Sequence, residues 1–134
     1  MTSVADNLKG VPLFADLNGR QLKKLATQFR EHSVAPGASV VREGTMSGVG
    51  FFVITEGEAV VSVGGKDVTT LLAGDHFGEL ALVSESERTA TVTARTSLRC
   101  LEIPFWDFRD FAHENPDVTW KLLQHVVSVL QRGD

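Results

Sequence analysis

The sequence contains one cysteine among its 134 residues, and a lone Cys100 cannot form a disulfide within the chain. A secreted fold held together by disulfides is therefore not indicated. No apolar run approaches the length of a membrane span, and the N-terminus lacks the apolar centre of a signal peptide. Basic residues are not in excess, because 13 Lys and Arg stand against 17 Asp and Glu, a formal net charge of −4. The sequence thus predicts a cytoplasmic protein that binds neither nucleic acid nor membranes.

The composition is that of a soluble globular protein, with 43% hydrophobic and 22% charged residues. At this length, and with no linker, repeat or low-complexity run, we expect one domain over residues 1–134. Its pattern divides into a helical part over 1–30, a β-rich part over 31–103 and C-terminal helices over 104–132.

The N-terminal part shows helical periodicity. Asn18 is a predicted N-cap with Gln21 three residues later, the spacing of a capping box. Leu22, Leu25 and Phe29 then recur at helical spacing, so we expect an amphipathic helix that packs on a core.

The middle part alternates short β-rich runs with glycines. Gly64-Gly65 lies between two such runs and suits a two-residue hairpin turn with positive φ at both positions. Cys100 alternates with Leu98 on an apolar run, which predicts a buried, inert thiol. The runs are residues 39–42, 51–54, 59–63, 68–72, 90–94 and 98–103. Many short antiparallel strands predict a mainly β fold, either a sandwich or a jelly-roll barrel.

The C-terminal part returns to helical spacing. Asn115-Pro116 interrupts it, and Pro116 suits the first position of a second helix. That helix carries an apolar stripe that could close over a ligand as a lid or be permanent core packing. The stripe comprises Leu122, Leu123, Val126, Val127 and Leu130.

One segment interrupts the strand rhythm between Gly74 and Val92. A short helix that begins near Gly78 would leave its first N–H groups free to bind an anion. Nine positions separate Glu79 from Arg88. A guanidinium fits phosphate oxygens and a carboxylate accepts hydrogen bonds from hydroxyl groups, so this pair suggests a sugar phosphate as ligand.

Other readings of these residues stay open. Glu79 is favoured in the first turn of a helix without any ligand, and Arg88 could form surface ion pairs with Glu85 or Glu87. His76 and Glu79 invite comparison with metal-binding jelly rolls, but a metal site needs three or four converging ligands, and none is expected here.

The segment from Phe77 to Leu82, followed by residues 88–92, resembles the phosphate-binding cassette of cyclic-nucleotide-binding domains. The resemblance extends over nearly the whole chain, through Glu43-Gly44, the run 51–54, Glu56-Gly57 and the closing helices. It implies an eight-stranded jelly-roll β-barrel flanked by an N-terminal helix and two C-terminal helices, with the cassette over 77–91.

The same resemblance implies roles for individual residues. Glu79 would bind the ribose 2′-hydroxyl and Arg88 the cyclic phosphate. The backbone of Gly78, Leu80 and Ala81 would complete the phosphate site, and Thr89 would contribute to it. We therefore expect a regulatory module, not an enzyme, that binds cAMP in preference to cGMP and needs no cofactor or metal.

Two positions depart from the family pattern. The loop over 44–50 lacks the acidic residues common there, and Phe52 stands where tyrosine is frequent. The sequence contains no helix-turn-helix, kinase, acyltransferase or channel segment, so a free-standing sensor and the sensory part of a larger protein are both expected possibilities. The alternative function is an interaction domain of the same fold with an empty or non-nucleotide pocket.

Overall fold

The computed structural model describes residues 3–42, 44, 50–78 and 90–133. Its N-terminal helices are α1 (Val4–Lys9) and α2 (Gly19–Ala26), with a 3₁₀ turn at Pro12–Phe14 between them. The strands are β1 (Arg30–Val34), β2 (Ser39–Val41), β3 (Gly50–Glu56), β4 (Ala59–Val63), β5 (Lys66–Leu71), β6 (His76–Phe77), β7 (Thr91–Ala94) and β8 (Leu98–Pro104). The C-terminal helices are α3 (Phe105–Glu114) and α4 (Pro116–Gly133).

The described strands form two antiparallel four-stranded sheets, in the orders β1-β8-β3-β6 and β2-β7-β4-β5. The predicted mainly β, jelly-roll type of fold with flanking helices is confirmed. The closed barrel is wrong, because no strand pairing joins the two sheets within the described residues. Each edge strand bonds to one neighbour, so the sheets face each other as an open sandwich.

Alternation along β3 produces two cores. Phe51 and Val53 point to one side of the first sheet, where α1, α2, α3 and α4 cover them. Phe52 and Ile54 point to the other side, into the space between the sheets. Because successive strand residues face opposite ways, this one buried strand connects the helical layer to the sandwich interior.

The N-terminal prediction is confirmed at the cap and wrong in extent. Asn18 Oδ1 accepts a hydrogen bond from the Gln21 N–H at 2.9 Å, and Gln21 Oε1 accepts one from the Asn18 N–H at 3.0 Å. The helical part does not continue to residue 30, because α2 ends at Ala26 and Arg30 begins β1. β1 lies at the edge of its sheet, and four of its five residues are exposed. Because these positions are exposed on both sides of the strand, its sequence shows no alternation of apolar and polar residues.

Two local predictions in the later chain are confirmed. Gly64 and Gly65 have φ values of 59° and 82° in the turn between β4 and β5. α3 ends at Glu114 and Pro116 is the first residue of α4.

The apolar stripe of α4 is divided, since Leu122 is buried and Leu123, Val126, Val127 and Leu130 are exposed. In the described structure these four are therefore neither a closed lid nor core packing. None of the described helices is long and apolar enough to cross a membrane.

Candidate functional site

The predicted binding segment is described at its two ends. Gly78 is the one predicted contact residue among the described residues, and Ala90 is the first described residue after the segment. The other predicted contacts lie outside the described residues: Glu79, Leu80, Ala81, Arg88 and Thr89. The short helix predicted to begin near Gly78 and the loop positions 45–49 also lie outside them.

A hydrogen-bonded turn positions the start of the segment. The Leu72 N–H donates to Asp75 Oδ2 at 2.8 Å, and the Asp75 N–H donates to the Leu72 carbonyl at 2.9 Å. Ile54 of β3 holds the same turn, since its carbonyl accepts from the Gly74 N–H and its N–H donates to the Asp75 carbonyl, both at 2.8 Å. The chain therefore enters β6 in a position fixed by a buried central strand.

The two residues of β6 face opposite cores. Phe77 pairs with Phe52 on β3, and their rings stack with centroids 4.9 Å apart and planes within 8°. His76 faces the helical side, where its ring centroid lies 5.6 Å from that of Phe51. The stacked pair fixes the chain direction just before Gly78, whose φ of 91° favours glycine over any residue with a side chain.

The predicted binding segment is followed by β7, which belongs to the second sheet. β7 lies between β2 and β4, with Thr91 paired to Ser62 and Val92 paired to Val61. Val92 is 3% exposed and belongs to the same inter-sheet core as Phe52 and Phe77. Residues 79–89 therefore connect an edge strand of one sheet to an inner strand of the other, and both attachments lie on one apolar core.

The side chains of the inter-sheet core range from fully buried to partly exposed. Ala59 and Ala94 are at most 1% exposed, whereas Val61, Leu71 and Phe77 are partly exposed and pack against it. Partly exposed apolar side chains thus lie at the described ends of the segment, whose sequence carries an acid and an arginine. Apolar surface combined with charged groups suits a ligand with one apolar and one anionic part.

Phe52 explains one departure from the family pattern. It is 3% exposed, and its ring is stacked on Phe77. A hydroxyl group at this position would need a hydrogen-bond partner in an apolar environment, so phenylalanine suits the site.

Cys100 confirms the prediction of a buried thiol. It is 1% exposed between the sheets, and burial, with a smaller effect from the charge of Glu102, raises its pKa to about 11. The thiol is therefore protonated at neutral pH and is not a nucleophile. Among the residues that the structure describes, no three His, Cys, Asp or Glu side chains form a group that could hold a metal ion.

Sequence reasoning missed the Phe52–Phe77 stack and the strand β6. The sequence signal for both features was weak, because β6 has only two residues and its pairing with β3 joins distant parts of the chain. A cleft of about 310 Å³ between α2 and α4 was also missed. It lies on the helical side of the molecule, and its lining includes Arg20, Gln21, Lys24, Asn115 and Asp117.

Comparison with known proteins gives a consistent result. The family model described as "cyclic nucleotide-binding domain" matches residues 31–115, more than half of the chain. The cAMP-dependent protein kinase regulatory subunit of Yarrowia lipolytica is 43% identical over 94 residues, which are 69% of this chain and 25% of that protein. The chain thus spans about a quarter of the length of this curated relative.

Solved structures show the same fold. The N-terminal domain of a transcriptional regulator from Streptomyces coelicolor A3(2) superposes with a TM-score of 0.89 at 28% identity, covering 96% of this chain and 95% of that one. The regulatory domain of Toxoplasma gondii PKA, crystallised with cAMP, superposes with a TM-score of 0.72 at 28% identity, covering 90% and 48%.

Proposed function

The chain belongs to the cyclic nucleotide-binding domain family, and on that premise we propose that it is a regulatory module that binds a 3′,5′-cyclic purine nucleotide without turning it over. One observation carries the proposal. The acid and the arginine of the motif stand on a segment whose ends, Phe77 and Val92, both belong to the apolar core between the sheets.

The residue roles in this proposal follow the chemistry of the ligand. Arg88 offers a planar pair of donors to the cyclic phosphate, and Glu79 accepts from the ribose 2′-hydroxyl. The N–H groups of Gly78, Leu80 and Ala81 complete the phosphate site, together with Thr89. The conformation of Gly78 supports this arrangement, because a residue without a Cβ lets a ligand approach the backbone closely.

We propose cAMP as the preferred ligand. The Yarrowia relative is a cAMP-dependent kinase subunit, and the Toxoplasma domain was crystallised with cAMP. Thr89 could contact the 2-amino edge of guanine, so cGMP is the competing ligand. Lower cGMP affinity and unchanged cAMP affinity in a Thr89→Ala variant would show that this hydroxyl contacts the base.

We propose that the signal leaves through the C-terminal helices. The break at Asn115-Pro116 separates α3 from α4, and proline disfavours a continuous helix there. Most of the apolar stripe of α4 is exposed, so this helix has apolar surface available for a second position. A ligand shifts the equilibrium between two positions of α4 only as far as its affinities for the protein in those two states differ.

Isothermal titration calorimetry with cAMP and with cGMP tests the proposed function. Saturable binding of cAMP, tighter than that of cGMP, is the expected result, and chromatography of the mixture should recover the cyclic nucleotide intact. Linear monophosphate in the mixture would contradict binding without turnover. No binding of either nucleotide by folded protein would instead favour an interaction domain of the same fold.

A further inference from the structure

The cleft between α2 and the start of α4 has the composition of a small polar binding site. We call it the α2–α4 cleft. Its volume of about 310 Å³ is at the lower end of the range for small-molecule sites, so it suits a ligand of few atoms. Opposite charges line it, because α2 contributes Arg20 and Lys24 and α4 contributes Asp117. Val118 adds an apolar part to the lining.

The two cations of the cleft lie on the same side of α2. Arg20 and Lys24 are four residues apart, so their side chains are neighbours on the helix surface. Like charges at this spacing disfavour a helix, and an anion beside them would offset that effect. Arg20 forms no ion pair within the described part of the chain. Its guanidinium can therefore bind an anionic group, and its planar donors fit a carboxylate.

A buried acceptor lines the α4 side of the cleft. Asn115 is 5% exposed, and its Nδ2 donates to the Phe111 carbonyl at 2.9 Å. That hydrogen bond fixes which way the amide is turned, and Asn115 Oδ1 accepts no hydrogen bond from the residues that the structure describes. An acceptor that is buried without a donor costs stability, so a donor on a ligand would be favourable here.

Asp117 supplies a second acceptor and a negative charge. Its Oδ2 accepts from Gln21 Nε2 at 2.7 Å, and the residue is exposed where it lines the cleft. The hydrogen bond from Gln21 and, to a smaller extent, the charge of Lys24 lower the pKa of Asp117, so this carboxyl group is ionised at neutral pH. An ionised carboxylate attracts an ammonium group and repels a dianion such as phosphate.

We propose that the α2–α4 cleft binds a small zwitterion of the amino acid class. The carboxylate of the ligand accepts from the guanidinium of Arg20, with the charge of Lys24 beside it. The ammonium group of the ligand donates to Asp117 and to Asn115 Oδ1. Because Asp117 lies in the first turn of α4, a ligand bound in this way holds the start of α4 against α2.

Isothermal titration calorimetry of the full chain without nucleotide tests the proposal, with the common L-amino acids added one at a time. At least one of them should bind saturably, with one site per chain. Acetate and ethylammonium each carry half of the proposed chemistry and should bind more weakly by about tenfold or more, because each loses a charge-assisted hydrogen bond. Inorganic phosphate should also bind more weakly than the amino acid, because Asp117 repels it.

A pair of variants locates the binding site. Arg20→Gln removes the donor to the ligand carboxylate and should weaken binding of the amino acid by about tenfold or more. Lys23→Gln is the matched control, because Lys23 is exposed on the same helix and does not line the cleft. This variant loses the same charge and should bind like the parent. Circular dichroism should show an unchanged fold in both, since both side chains are exposed.

A measurement on the parent chain keeps the test decisive if a variant does not fold. In nuclear magnetic resonance spectra of isotope-labelled protein, the side-chain amide signals of Asn115 should shift when the amino acid is added. Those of Asn7 should not, because Asn7 lies in α1 and does not line the cleft.

Several results would overturn the proposal. They are no binding of any L-amino acid by the folded parent, equal weakening in the Arg20 and Lys23 variants, and unchanged Asn115 signals on binding. Equally tight binding of acetate or phosphate would also overturn it, since the cleft would then be a site for simple anions. All of these measurements are made without nucleotide, so they do not depend on the proposed function.

Discussion

Gly78 and Phe77 together determine how the chain leaves the first sheet. The stacked ring of Phe77 holds the backbone against β3, and Gly78 then adopts a φ of 91°. The described chain therefore leads up to the predicted contacts through one aromatic contact and one glycine.

At the same scale, Arg88→Leu should weaken cAMP binding by more than tenfold. The change removes the one cationic side chain of the motif, and truncation of one partner of a buried charge pair costs roughly 2–5 kcal/mol. Calorimetric titration of the variant measures the loss, and circular dichroism should show an unchanged fold.

Arg95→Leu provides the control for this prediction. Arg95 is about half exposed and lies 3.9 Å from Glu58, outside the predicted segment. Its replacement also removes one arginine, yet cAMP affinity should stay close to that of the parent. Equal losses in both variants would mean that general charge, and not Arg88, binds the phosphate.

Among the elements, α2 and α4 are joined by a polar network at the start of α4. Gln21 Nε2 donates to Asp117 Oδ2 at 2.7 Å, and Lys121 Nζ donates to Gln21 Oε1 at 2.9 Å. Gln21 is 9% exposed and also forms the capping box of α2 with Asn18. The first turn of α4 is therefore fixed to the first turn of α2, directly after the break at Asn115-Pro116.

This network predicts a pH dependence of stability. The hydrogen bond from Gln21 lowers the pKa of Asp117 below its ordinary value of 3.8. The unfolded chain then binds this proton at higher pH than the folded chain, so the contribution is present above about pH 4 and is lost as the pH falls through the folded-state pKa. Asp117→Asn should therefore show a smaller loss of unfolding free energy than the parent as the pH is lowered from about 5 to about 2.

Urea unfolding at a series of pH values measures this difference. Asp67→Asn is a suitable comparison, because Asp67 is an exposed carboxylate on β5, away from the network. Parallel stability curves for the parent and Asp117→Asn would mean that the Gln21 hydrogen bond does not favour the charged carboxylate in the folded state.

In the whole molecule, β3 separates two cores, and the two described ends of the predicted binding segment, Phe77 and Val92, both lie on the inter-sheet core. A ligand held by residues 79–89 would first affect the inter-sheet core. Its effect would reach α4 either through the first sheet or by direct contact between the ligand and α4. Because packed protein interiors have low compressibility, we expect the strands of the sandwich to change shape little.

Hydrogen exchange with and without cAMP tests this path. Ligand should slow amide exchange in residues 78–90 and in 117–130, and should hardly change it in 51–63, because central strands are already protected. Protection confined to 78–90 would mean that α4 keeps its position when ligand binds, and the signal would leave by another route.

Features that depend on neighbouring residues were predictable from the sequence. The capping box of Asn18 and Gln21, the Gly64-Gly65 turn and the start of α4 at Pro116 are confirmed, because each depends on backbone conformations that a few residues impose. The mainly β fold was predictable for the same reason, from the alternation of short apolar runs and turns. The six ligand contacts come from a motif and stay predictions.

Features that depend on distant residues were decided by the tertiary structure. β1 and β6 are strands because β8 and β3 offer them hydrogen bonds, while their own sequences carry little strand signal. The open sandwich depends on which strand edges remain unpaired, and the exposure of most of the apolar stripe of α4 depends on which side of that helix packs on the core. Gln21 and Asp117 meet across 96 positions. The sequence alone determined which local structures are favourable. Only packing decided which surfaces are buried, because a side chain is buried by residues that are distant from it in sequence.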